Sequence, residues 1–121
     1  MRILVANVNT TQSMTDSIAA QARAAAAPGT EIIGITPRFG ADSCEGNFES
    51  YLAAIAVMDA VVNYPEPFDA VIQAGYGEHG REGFRNCSTS PWLISPRQQQ
   101  APRCSWATSI QWSPRLTAPY R

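Results

Sequence analysis

A chain of 121 residues holds one modest domain and no more. It is 45% hydrophobic and 16% charged with a net charge of −1, which is globular in composition and argues against a nucleic-acid or polyanionic partner. No apolar run approaches the roughly 18–20 residues of a membrane span. The N-terminus is strand-like rather than basic and then long-apolar, so no signal peptide is predicted, and three cysteines (Cys44, Cys87, Cys104) without metal-like or CxxC spacing imply a reduced, cytoplasmic protein.

The first element is Arg2-Ile3-Leu4-Val5-Ala6, with the length and aliphatic content of a strand buried on both faces. It ends in short polar side chains, Asn7, Asn9, Thr10 and Thr11. Thr10 or Thr11 is placed to cap a helix whose apolar face reads Met14, Ile18, Ala19, Ala22 and Ala25-Ala26, stopped by Pro28-Gly29. Thr30 to Thr36 reads as a second strand ended by Pro37, and residues 38–46 as a loop. Asn47 or Ser50 starts a second helix with Tyr51, Leu52, Ile55, Ala56, Met58, Val61 and Val62 as its stripe. Phe68 to Ala74 is a third strand, residues 75–80 a glycine-rich loop, and Arg81 to Arg85 the start of another helix.

The order β-α-β-α-β-loop-α with short connections predicts an α/β fold, an open parallel sheet with flanking helices and right-handed crossovers. In such a sheet the loops after strands one and three sit side by side where the strand order reverses. Residues 7–11 and 75–80 are therefore expected to face one crevice, with loop 38–47 as its rim.

Near residue 87 the chain changes character. All ten acidic residues and all eight glycines precede it, and all three tryptophans and five of nine prolines follow it. Residues 1–86 carry five arginines against ten acids, a net of −5; residues 87–121 carry four arginines and no acid, a net of +4. A fourth strand is due near residue 88, and the tail shows neither strand nor helix period. Residues 1–86 therefore read as an incomplete N-terminal α/β domain and residues 87–121 as an irregular tail. One explanation is a frameshifted C-terminus, because codons for Cys87 to Pro96 exist that, shifted two nucleotides, spell the strand-like LDVPVVDIT. The other is a natural disordered Pro/Ser/Arg tail.

Three motifs in order carry a family resemblance: Asn7-Val8-Asn9-Thr10-Thr11, Ala27-Pro28-Gly29-Thr30-Glu31-Ile32, and Phe39-Gly40-Ala41-Asp42-Ser43-Cys44-Glu45-Gly46. With Gly75-Tyr76-Gly77-Glu78-His79-Gly80 behind them, residues 1–86 resemble the Asp/Glu racemase superfamily, in its hydantoin and allantoin racemase branch. The resemblance implies a cofactor-independent, metal-free isomerase acting on a small molecule, a hydantoin, allantoin or related amino-acid derivative, with no nucleic acid or membrane partner and a homo-oligomer as an option. It also implies two acid/base cysteines, one from each half of a duplicated fold, since inverting a carbon beside a carbonyl needs a base on one face and an acid on the other. Substrate-binding candidates are Asn7, Asn9, Thr10, Thr11, Ser43, Gly75, Tyr76 and Gly77, with Asn9 and Thr10 on the carbonyl or carboxylate oxygens. The first cysteine position is Gly75 here, and Val8 stands where a proline is common.

The nearest substitute acid/base groups are His79 and Glu78; the plainer reading makes both solvated loop residues. For Asn7, Asn9 and Thr10 the plainer reading is turn and cap chemistry, and for Cys44 a small buried hydrophobe. Residues 75–80 also match G-x-G-x-x-G, so a dinucleotide-binding domain for NAD or FAD is an alternative, although the motif follows the third strand rather than the first. A non-catalytic small-molecule-binding pseudoenzyme is a further alternative. A chain with one half of a two-base site is expected to have little activity alone.

Overall fold

The computed structural model describes residues 1–75, 77, 79–80 and 83–84 and the backbone of 92–94. Six elements follow one another: β1 (Arg2–Asn7), α1 (Gln12–Ala25), β2 (Glu31–Ile35), α2 (Asn47–Val62), β3 (Ala70–Ala74) and β4 (Trp92–Ile94). They form one parallel sheet in the order β2-β1-β3-β4. The chain passes outward from β1 to β2, then returns to the other side of β1 for β3, so the strand order reverses between β1 and β3, as expected.

Side-chain alternation gives the sheet two faces. Leu4 and Ala6 with Val71 point to α2 and pack with Ala53, Val57, Val61 and Phe84, all buried. Ile3, Val5, Ile32 and Ile72 face Ile18 and Ala22 of α1 across a hollow of about 530 Å³. Gly34 lets α1 lie close on β2, since a Cβ there would stand 3.0 Å from both Ala19 Cβ and Thr15 Cγ2. At the other end of the sheet Arg2 pairs with Glu31 (2.8 Å) and Glu66 (2.6 Å), and its backbone N–H donates to Asp69 Oδ2 at 2.7 Å.

Three expectations are corrected. The chain does supply a fourth strand: Val71, Ile72 and Gln73 pair with Trp92, Leu93 and Ile94. Its three residues carry no polar alternation and follow a proline, which is why no period marks it. Of the stripe expected on α1, Ala19 is buried and Ile18 and Ala22 face the sheet, but Met14 is exposed and Thr15 is buried in its place. In α2 the small residues Ala53, Ala56, Val57 and Val61 face the sheet, and Tyr51, Ile55 and Val62 face outward. The helix start near residue 81 survives in its described part: Gly83 and Phe84 are helical, and Phe84 N–H donates to Gly80 O at 2.9 Å. Apart from β4, the tail assigned to 87–121 lies outside the described residues. Among the described residues no helix is long and apolar enough to cross a membrane.

Candidate functional site

The turn leaving β1 is shaped by its own amides. Asn9 N–H donates to Asn7 Oδ1 (3.3 Å) and Thr11 N–H to Asn9 Oδ1 (3.1 Å), so two side chains in succession replace backbone turn bonds. Asn7, 1% exposed, sends its amide nitrogen to Asn9 Oδ1 (2.9 Å), Thr15 Oγ1 (3.0 Å) and Thr11 O (3.2 Å). Thr15 continues to Thr36 Oγ1 (2.6 Å), whose hydroxyl donates to Gln12 Oε1 (2.8 Å). This network, buried at Asn7 and Thr15 and exposed at Gln12, ties β1, α1 and the end of β2 together on the α1 face. Asn9 is buried too, but among the described residues its amide nitrogen has only the Met14 sulfur at 3.5 Å, a weak acceptor.

Thr11 occupies the N-cap position of α1, as one of the two candidates, but its side chain makes no capping bond. Its hydroxyl instead donates to Asp42 O (3.0 Å), while the Thr10 hydroxyl donates to Asp42 Oδ1 (2.8 Å) and Thr10 N–H to Ala41 O (3.1 Å). Loop 38–47 is thereby strapped over the β1 turn, as a rim should be. Ser43 is exposed and bonds Glu45 at 2.5 Å. Cys44 is half-buried, with Sγ–H toward Val8 O at 3.5 Å. Burial, and then the nearby Glu49 and Glu45 charges, push its thiol pKa up. Cys44 is therefore expected to alkylate more slowly at pH 8 than a free thiol, as read by mass spectrometry of the peptide that carries it.

The loop after β3 meets this turn directly. A Cβ on Gly75 would stand 2.5 Å from Val8 Cγ1 and 2.9 Å from Val8 Cγ2, so the valine fills the space that a side chain at 75 would take. A Cβ on Gly77 would stand 2.6 Å from His79 Nε2 and Cε1. The room left by the second glycine of the G-x-G-x-x-G stretch thus holds an imidazole, where a dinucleotide fold would bring a pyrophosphate. His79 is 5% exposed, which overturns its reading as a solvated loop residue. Its Nδ1 lies 3.0 Å from Ser50 Oγ and 3.4 Å from Ser50 O in the first turn of α2. An Nδ1–H tautomer serves these oxygens and leaves Nε2 as the basic nitrogen. Gln73 Nε2 donates to His79 O at 3.2 Å, and Gln73 Oε1 is buried without a hydrogen-bond partner among the described residues.

The two loops thus touch at Val8 and Gly75, while their polar side chains part: the Asn7 cluster lies toward α1 and the His79 cluster toward α2. Tyr76 and Glu78 lie outside the described residues. Asp42, Gln73, Thr15 and Thr36 are the partners that sequence reading does not single out, and Ser50 enters there only as a helix start. Only Asp42 carried a signal, as an acid in the polar rim loop. Among the described residues no group of three His, Cys, Asp or Glu side chains is disposed to hold a metal.

Residues 3–91 match the Asp/Glu/Hydantoin racemase family. Among solved structures, the chain is similar to an allantoin racemase from Pseudomonas fluorescens, with 70% identity and a TM-score of 0.76 over 78% of this chain and 40% of that one. It is also similar to an allantoin racemase from Klebsiella pneumoniae, with 38% identity and a TM-score of 0.74 over 78% of this chain and 39% of that one. A hydantoin racemase from Paenarthrobacter aurescens is 33% identical over 93 residues, 75% of this chain and 39% of its own length. The chain therefore spans about two fifths of the length of these relatives.

Proposed function

This chain belongs to the Asp/Glu/hydantoin racemase family, and on that premise we propose that it carries the N-terminal half-site of a cofactor-independent racemase of hydantoins, allantoin or related amino-acid derivatives. The observation that carries the proposal is the contact of the β1 turn with the β3 loop at Val8 and Gly75, at the strand-order reversal where open α/β sheets bind ligands. The substrate's acidic carbon loses a proton to a base on one face and regains one from an acid on the other, with enolate-like charge on the adjacent oxygen between the two steps. Asn9 is the better oxygen donor of the two asparagines, because its amide nitrogen is nearly free and that of Asn7 is spent on the turn. Thr10 and Thr11 act through the rim loop they hold. The α1 N-terminus, which has no acid in its first turn, adds a favourable dipole for the developing charge.

His79, with Ser50 orienting its Nδ1, takes the acid/base role that Gly75 cannot. Glu78 is its neighbour in sequence and shares the assignment. One half-site supplies one of two proton-transfer groups, so racemisation by this chain alone is slow. The test is optical rotation of enantiopure allantoin and of a 5-substituted hydantoin, with chain and buffer compared. Slow loss of rotation that His79→Gln and Asn9→Ala both abolish supports the reading. Saturable binding without loss of rotation favours the pseudoenzyme, which the filled space at Gly75 encourages.

The tail belongs to the same proposal. The family match ends at residue 91, near the compositional break, and a frame change close to codon 86 is the cause proposed for the altered composition. Coding DNA incompatible with LDVPVVDIT in the second frame removes that part.

A further inference from the structure

Asn9 holds its amide in one orientation. Its Oδ1 accepts from Asn7 Nδ2 at 2.9 Å and from Thr11 N–H at 3.1 Å, so turning the group over would set its NH2 against two donors. Nδ2 is therefore fixed on the other side, where among the described residues it meets only the Met14 sulfur, at 3.5 Å. The whole residue is 6% exposed. A buried N–H donor is normally matched by an oxygen; here its partner is a thioether, a weak acceptor.

Little holds the Met14 side chain over that amide. Its backbone is anchored in the first turn of α1, where its N–H donates to Thr11 O at 3.1 Å. The residue is nevertheless 47% exposed, and it belongs neither to the cluster around Leu4 and Val57 nor to the lining of the hollow beneath α1. An unbranched side chain with three rotatable bonds re-orients readily, and its displacement gives up little buried apolar area. In place, it covers the amide. A ligand arriving there has little water to strip from Asn9 and only a weak bond to replace.

We propose that Met14 is a specificity-determining gate over the half-site, a role that rests on Asn9 being the oxygen donor proposed above. Its thioether caps the Asn9 amide until a carbonyl or carboxylate oxygen of a hydantoin- or allantoin-like ligand displaces it. Selection follows from acceptor strength. An oxygen gains more from the amide than the thioether loses, whereas an apolar group or a thiocarbonyl sulfur gains no more than Met14 already offers.

Isothermal titration of the full chain with allantoin, paired with urea denaturation, tests this. In Met14→Gln, Cδ takes the place of the sulfur and Oε1, about 1.2 Å further on, reaches the amide. That oxygen satisfies Asn9, so the urea midpoint should rise while allantoin binding weakens about tenfold. Met14→Leu keeps the cover and removes the acceptor, so the midpoint should fall while binding tightens about threefold. Opposite signs in stability and affinity mark a gate; a side chain that only packs would not weaken binding as it stabilises the fold. Binding by Met14→Gln equal to that of the wild type, with binding lost in Asn9→Ala, overturns the gate and leaves the half-site standing. Binding that survives Asn9→Ala, or no binding by the wild type and Met14→Leu alike, overturns the half-site and the gate with it.

Discussion

Replacing Asn7 with alanine is expected to lower the folding stability by about 2–3 kcal/mol, because a fully buried amide with four hydrogen bonds disappears and its partners stay buried. Asn9 N–H is left with no side-chain acceptor, and the Thr15 hydroxyl keeps Thr36 alone. Urea denaturation reads the effect as a lower midpoint at unchanged slope. Asn7→Asp separates shape from hydrogen-bond direction. A carboxylate still accepts from Asn9 N–H but donates nothing to Asn9, Thr11 or Thr15, and it buries a charge, so the loss should rise to about 3–5 kcal/mol. Burial favours the protonated form of that carboxyl, which raises its folded pKa above the unfolded one. Its stability is then greatest at low pH and falls as pH rises through the folded value. A variant whose stability is the same at pH 4 and pH 7 would show that position 7 is open to water.

The second large effect is expected at Gly75, and it depends on Val8. Gly75→Ala places a methyl 2.5 Å from Val8 Cγ1, which forces the two loops apart at a cost of about 1–3 kcal/mol. Val8→Ala alone destabilises by leaving a void, since Val8 belongs to the buried cluster around Leu4 and Val57. The double variant puts a small residue on each side of the contact and should cost less than the sum of the singles by at least about 1 kcal/mol. A double-mutant cycle in urea measures that coupling directly. Additive losses would mean that the valine and the glycine do not share one space. The same cycle bears on chemistry, because a side chain for proton transfer can be seated at 75 only once Val8 is made smaller.

Much of the fold follows from local signals. The run Ile3 to Ala6, the stop at Pro28-Gly29 and the stop at Asn63-Tyr64-Pro65 each act within a few residues, and together they dictate parallel strands joined by helices. The strand-order reversal then follows, and with it the meeting of the β1 turn with the β3 loop. The side on which a helix is buried is not local in this way when the helix is apolar all round. In α2 every apolar residue reads alike, and packing against the sheet decided that Ala53, Ala56, Val57 and Val61 go inward, because small side chains allow the close approach.

The site divides along the same line. The sequence alone determined that amides and hydroxyls would gather where β1 ends and that a glycine-rich loop would lie next to them, since strand direction and connection length require it. Only the tertiary structure decided what each group does there. Asn7 is consumed by Thr15 and Thr11 while Asn9 keeps its amide, Asp42 takes the hydroxyls of both threonines, and His79 is buried against Ser50. The partners in these last pairs stand about 30 residues apart. A hydrogen bond requires an approach within about 3 Å, and only the packed sheet brings such distant residues that close.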